Sequence, residues 1–243
     1  SPQFEFLCNS PPIICLAAFL KAVKCFRVLL SLDADQSIRD TKGFTLSHYA
    51  AGGGSLEIVK SINFRTDVEV NSMTPIHFAA SCGCIDLLHY LDLNGIDIYS
   101  PKSHVGSPAM QACYYGHLDI VTMYLDSGLD PDYRFNYGDS LMHCACYGGH
   151  ADVVKLLISR GADIEIGNRR RIRPAVYAAI SGSLEVMKIL QESGADIKMS
   201  KSKYIPIVLA AAYGHLDVVR FLVENGVEIN SNTESKSNEA FIA

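Results

Sequence analysis

One small residue recurs along this chain at an almost constant step. Ala17, Ala50, Ala79, Ala112, Ala145, Ala178 and Ala210 are separated by 33, 29, 33, 33, 33 and 32 residues, and Ala243 follows after another 33. Each alanine sits in a similar context, as in 48–60 (HYAAGGGSLEIVK), 143–157 (HCACYGGHADVVKLL) and 208–222 (VLAAAYGHLDVVRFL). A period held over a whole chain marks a repeat array, and it bounds the fold before any single motif is weighed. No Pro/Gly/Ser-rich break interrupts the series, which predicts one domain over 1–243.

The unit at 140–165 shows how one copy folds. Leu141–Tyr147 carries apolar or small residues at helical spacing, then Gly148-Gly149. Glycine adopts positive φ cheaply and so ends a helix. His150-Ala151-Asp152 opens a second helix, with an acid where the helix dipole favours one. Val153, Val154, Leu156, Leu157 and Ile158 give that helix its apolar face, and Gly161 stops it. The same stops recur at Gly83, Gly116, Gly182 and Gly214 after the first helix, and at Gly95, Gly128, Gly194 and Gly226 after the second. Pro75, Pro108, Pro174 and Pro206 stand at the start of first helices, where a missing N–H does no harm. Neither helix of a unit can bury its face alone, so neighbours must stack into a solenoid.

These residues resemble the ankyrin repeat. Thr74-Pro75-Ile76-His77 is similar to its Thr-Pro-Leu-His opening, and Gly116-His117-Leu118-Asp119-Ile120-Val121 and Gly161-Ala162-Asp163-Ile164 to its other signatures. The resemblance implies an all-α ankyrin-repeat solenoid of about seven repeats plus a partial eighth. Its bounds are about 12–44, 45–73 (shortened), 74–106, 107–139, 140–172, 173–204 and 205–237, with 1–11 before them and 238–243 starting a further copy. It also implies β-hairpin finger loops and a concave face lined by fingers and first helices. In the 29-residue copy, 61–67 lacks the Gly stop and the next finger shrinks to Asn71-Ser72-Met73. A short or kinked second helix and a notch between fingers are expected there. Apolar ends (Phe4, Phe6, Leu7, Ile13, Ile14 and Phe241-Ile242) suggest a native chain that continues.

Several pairings imitate catalytic or metal sites. His117-X-Asp119, His150-X-Asp152 and His215-X-Asp217 occupy a position where other units carry Ser183-X-Glu185 or Ser55-X-Glu57. A role filled equally by Ser and His is structural, and hydrogen bonding between turns and neighbouring repeats is expected of it. His143, Cys144, Cys146 and His150 could supply a tetrahedral zinc site. His143, however, fills the slot of His48 and His77, and Cys146 lies beside the packing alanine, so core packing is expected. Cys82-Gly83-Cys84 could hold a thiol of low pKa at a helix terminus. Gly52-Gly53-Gly54-Ser55 has neither the Lys nor the preceding strand of a phosphate loop. The chain is read as a non-enzyme without cofactor or metal.

Function is expected where the repeats differ. After the alanine pair come Gly53, Tyr114, Tyr115, Tyr147 and Tyr213; the fingers add Tyr133, Phe135 and Tyr137. A basic zone follows at Arg169, Arg170, Arg171 and Arg173, then Lys201 and Lys203. Residues 168–204 carry eight Lys/Arg against three Asp/Glu, while the whole chain carries −5. Tyr and Arg dominate interface hot spots. The expected function is a scaffold or adaptor that binds a protein or peptide on the concave face, through a central aromatic zone and an adjacent basic one. Two other readings stay open: binding of phosphoinositide, RNA or a phosphorylated segment by the Arg/Lys fingers, and a regulatory module of a larger protein. The acidic balance argues against nucleic acid. Apolar runs of at most ten residues exclude a membrane-spanning helix, which takes ~18 or more. Eight cysteines in apolar settings, without a visible leader, read as free thiols. They place the chain inside the cell, in the cytoplasm with the nucleus left open, as a monomer.

Overall fold

The structure, a computed structural model, describes residues 7–99, 107–135, 138–198 and 205–228. Tyr137, Lys201, Lys203 and the start of a further repeat at 238–243 lie outside the described residues. Among the described residues fourteen helices form seven pairs: α1 (Ile13–Phe19) with α2 (Val23–Ser31), α3 (Leu46–Gly53) with α4 (Leu56–Ser61), α5 (Pro75–Ser81) with α6 (Ile85–Leu93), α7 (Pro108–Tyr115) with α8 (Leu118–Asp126), α9 (Leu141–Gly148) with α10 (Ala151–Ser159), α11 (Pro174–Ser181) with α12 (Leu184–Glu192), and α13 (Pro206–Ala212) with α14 (Leu216–Glu224).

The contacts divide into two compact units, 1–127 and 128–243. In the first, α1, α3, α5 and α7 pack one on the next, and each lies against its own second helix. In the second, α9, α11 and α13 stack in the same way, as do α10, α12 and α14. The recurring alanines explain the close stacking. Ala50, Ala79, Ala112, Ala145, Ala178 and Ala210 are all fully buried. A larger side chain there overpacks a core with room for a methyl group. Ala145→Leu is expected to cost about 2 kcal/mol, read as a lower urea midpoint. An unchanged midpoint would place the repeat register wrongly.

The first helices begin with a local device. Thr45, Thr74 and Ser140 are N-caps whose side chains take the backbone N–H of the fourth residue, and that residue, His48, His77 or His143, reaches back to the cap. This is a capping box with His in place of Glu. The Thr45 N–H donates to Nδ1 of His48 at 3.2 Å, and the Ser140 N–H to Nδ1 of His143 at 3.0 Å. Nδ1 is thus the acceptor and Nε2 carries the proton. Nε2 donates to the Met73 carbonyl from His48 (3.2 Å) and to the Ile172 carbonyl from His143 (2.9 Å). The His48 and His143 rings therefore tie their own caps to the finger that leads into the next repeat.

The shortened copy behaves as its length requires. α4 has six residues where most second helices have nine. The cut finger closes through paired backbone bonds between Val70 and Met73, each 2.9 Å. Asn71 and Ser72 between them have φ of 51° and 63°. Positive φ at both central residues is the two-residue hairpin turn that matches strand twist. Beside the short helix lies a cavity of about 350 Å³ lined by Arg39, Leu46, Ser47, Ile62, Arg65 and Val68. The fingers are less regular than the resemblance implies. Among the described residues they hold only the isolated bridges Arg39–Thr45 and Val70–Met73, and no strand.

Candidate interaction surface

The His-X-Asp positions act between repeats. His117 Nε2 donates to the Ser81 carbonyl and His215 Nε2 to the Ile180 carbonyl, each at 2.8 Å. Ser183, at the same position, gives its hydroxyl to the Gly149 carbonyl at 3.3 Å. Ser and His share the task because both can place a donor over a backbone carbonyl near the end of the preceding repeat's first helix.

Burial raises the thiols of Cys82, Cys84, Cys144 and Cys146 rather than activating them. Burial pushes Cys82 up to about 12, and burial with Cys84 as neighbour has the larger part in it; Cys84 itself rises to about 11. This corrects the expectation of an acidic thiol at 82–84. The Cys84 thiol donates to the Gly52 carbonyl at 3.3 Å. Cys144 is raised to about 12, and Cys146 is fully buried. Both ring nitrogens of His143 are engaged by Ser140 and Ile172, so that ring has no lone pair to offer a metal. Among the described residues no three His, Cys, Asp or Glu side chains converge as metal ligands.

The aromatic candidates separate into small groups. In the first unit Tyr114 and Tyr115 meet edge to face, centroids 4.8 Å apart, at the end of α7. In the second, Tyr133 packs edge-on against Phe135 at 4.8 Å. Phe135 is only 7% exposed, so of this pair Tyr133 alone presents a ring, at 43%. Phe135 therefore leaves the surface and becomes core. Tyr213, also 43% exposed, stacks on His215 at 6.3 Å with planes 7° apart. Gly53 is buried and offers no surface.

Tyr147 has a companion that sequence reasoning missed. Its ring, 44% exposed, lies 5.6 Å from Tyr177 at 79°. Tyr177 stands on α11, one repeat along. Its hydroxyl donates to Asp139 at 3.3 Å, and the Arg170 charge lies near enough to act on it. Burial and Asp139 hold the Tyr177 hydroxyl above its ordinary pKa, whereas Arg170 opposes the rise. Tyr177 is the fourth residue of α11, in the register place of Cys144, so the signal available in the sequence was an aromatic residue one turn into a first helix. The aromatic and basic zones thus meet on the second unit.

The basic zone is smaller than its charge count. Arg173 is the N-cap of α11 and pairs with Glu165 at 2.5 Å, with Asp196 at 3.9 Å. It is removed from the free positive charge. Arg169, Arg170 and Arg171 are exposed at the tip of one turn.

Stacked helix pairs, αL glycine stops and buried alanines at a fixed step are joined by sequence-family matches. The description "Ankyrin repeats (3 copies)" matches residues 14–102 and 165–233, and "Ankyrin repeats (many copies)" matches 109–158. The chain belongs to the ankyrin-repeat family. Ankyrin repeats are in general protein–protein interaction modules. No helix among the described residues is long and apolar enough to cross a membrane.

Proposed function

We propose that this ankyrin-repeat protein is a non-catalytic adaptor whose partner, a protein segment, lies across the Tyr147–Tyr177 ledge of the second unit with the Arg169–Arg171 turn beside it. The observation that carries this reading is the contact of Tyr147 with Tyr177 next to the Arg170 charge. An exposed aromatic ring supplies contact area at low entropic cost, and arginine supplies directional bonds to carboxylate or phosphate. The histidines and thiols that could suggest catalysis hold caps, carbonyls and core packing instead. Tyr133 and Tyr213 widen the candidate surface in the same unit, while Tyr114 and Tyr115 offer a separate one in the first.

The test begins with a pull-down from a native lysate and continues with calorimetry on each purified partner. Tyr147→Ala is expected to weaken binding by about 2 kcal/mol, roughly thirty-fold. Arg170→Glu is expected to weaken it further without changing the melt. Unchanged affinity for every purified partner would remove the ledge from the function.

A further inference from the structure

We propose that the 168–172 finger is an oxyanion clasp: Arg169, Arg170 and Arg171, with Arg134 from the adjoining finger, take a phosphorylated or polyacidic cluster on the partner segment. The inference rests on the reading that a protein segment lies across the Tyr147–Tyr177 ledge.

The turn is rigidly specified. The Asn168 N–H donates to the Ile172 carbonyl at 3.0 Å, and the Arg171 N–H to the Asn168 carbonyl at 2.8 Å. Asn168 Oδ1 accepts the N–H of Arg170 and of Ile172 at 2.9 and 3.0 Å. The first unit contains the same turn. Asp40 replaces Asn168, its Oδ1 accepts from Lys42 and Phe44, and the Gly43 N–H donates to the Asp40 carbonyl. There the fourth residue is Gly43 with φ of 90°, and in the 135–139 finger it is Gly138 with φ of 79°. In the 168–172 finger it is Arg171, at φ of 60°. Glycine takes this conformation freely and arginine does not. A strained residue kept where glycine would serve points to a use for its side chain.

Among the described residues the carboxylates of these fingers make their hydrogen bonds elsewhere than to Arg169, Arg170 and Arg171. Asp132 Oδ1 accepts the N–H of Asp163, Asp163 that of Glu165, and Glu165 that of Asp196. Glu165 and Asp196 also hold Arg173. Asp139 Oδ1 receives the Asn168 amide at 2.8 Å and the Tyr177 hydroxyl. The acids of these fingers are thus committed to backbone amides, to Arg173 or to neutral donors. Among the described residues no ion pair involves Arg169, Arg170 or Arg171. Arg134 adds a fourth guanidinium. It donates to the Gly167 carbonyl at 2.7 Å, and the two fingers are so close that a Cβ on Gly138 would lie 2.7 Å from the Arg169 nitrogen. Four guanidiniums on touching fingers thus keep N–H donors for a ligand, and guanidinium binds oxyanions in a bidentate manner.

A protein segment is the favoured bearer of that anion. The chain as a whole carries −5, which repels a polyphosphate backbone or an anionic bilayer, with their many charges, more than a short segment that carries two or three. Ile166 and Ile172, the apolar residues of the finger, are buried, so it has no wedge to insert into lipid.

The experiment immobilises the 243-residue chain and passes over it three degenerate peptide libraries. They differ only at two fixed central positions: phosphoserine, Glu or Ala. The wild type is expected to retain one or both anionic libraries at least tenfold over the Ala library, and the phosphoserine-to-Glu ratio tells which source of oxyanion is preferred. The variant Arg169→Gln, Arg170→Gln, Arg171→Gly is expected to lose that preference while melting at or above the wild-type temperature, because Gly relieves the turn. Equal retention of all three libraries, retention of none, or an anionic preference that survives in the variant would overturn the clasp. So would binding confined to a single-stranded RNA oligonucleotide or to phosphoinositide vesicles run in parallel. Equal retention of the three libraries that Tyr147→Ala abolishes would sink the clasp and leave the ledge standing. An anionic preference insensitive to Tyr147→Ala but lost in the arginine variant would do the reverse.

Discussion

Between pH 7 and pH 4 the protein is expected to lose most of its stability, although no carboxylate is the main cause. His48 and His143 are fully buried. Burial pulls His48 down to about 4, and Arg39 and His77 add to the fall while the Met73 carbonyl and Asp40 oppose it. His143 is lowered as well, chiefly by burial and against the Ile172 carbonyl and Asp139. Each ring is neutral in the fold because Nδ1 must accept the N-cap N–H. In the unfolded chain the same rings titrate near 6.5. A base whose folded pKa is depressed contributes stability that is complete above the unfolded value. That stability is lost as pH falls, because the unfolded chain takes up the proton first. For His48 the loss between 6.5 and 4 amounts to about 3 kcal/mol. Where the unfolded rings are protonated and both folded rings are still neutral, the two together give a slope that approaches about 2.7 kcal/mol per pH unit. Urea midpoints at pH 7.5, 6, 5 and 4.5 should be level at the first and fall steeply through the rest. Midpoints that do not change across this range would mean that the caps are not held by neutral imidazole.

Gly53→Ala is expected to be among the most damaging single-methyl additions, at about 3 kcal/mol. Gly53 ends α3 with ordinary helical φ, so backbone freedom is not its purpose. A Cβ there would lie 2.3 Å from the Ala18 carbonyl oxygen and 3.0 Å from that of Phe19. Both atoms are backbone of α1 and its end, and neither can rotate away. The first helices of neighbouring repeats approach here closely enough to exclude a methyl group. Gly161→Ala is the natural control. Gly161 has φ of 83°, yet nothing lies within 4 Å of its missing Cβ. Its substitution should cost only the left-handed conformation, about 1 kcal/mol. Chemical denaturation of both variants separates contact from conformation. Equal losses would show that α1 and α3 are looser than these distances.

The sequence by itself determined the helix pairs, their stops, and the all-α stacked fold. Those features depend on neighbours within a turn or two and on the repeat: a Pro at a helix start, a Gly after an apolar run, an alanine about every 33 residues. It also pointed to the structural use of the His-X-Asp positions, because register showed Ser and His sharing one place. The irregular fingers were less legible, since a hairpin needs pairing between segments whose spacing varies from copy to copy.

The surface was decided only by tertiary structure. Arg173 counts as a charge in the sequence but is paired with Glu165 and Asp196. Phe135 reads as exposed on a finger yet is covered, and Gly53 reads as variable yet is clamped. Tyr177 became part of the ledge only because stacking set it against Tyr147. In each case the deciding atom lies on another segment, for Tyr177 and Gly53 some 30 residues away, and is brought near by stacking. Local propensity can say that a residue is on a finger or a helix, but not what the next repeat places over it.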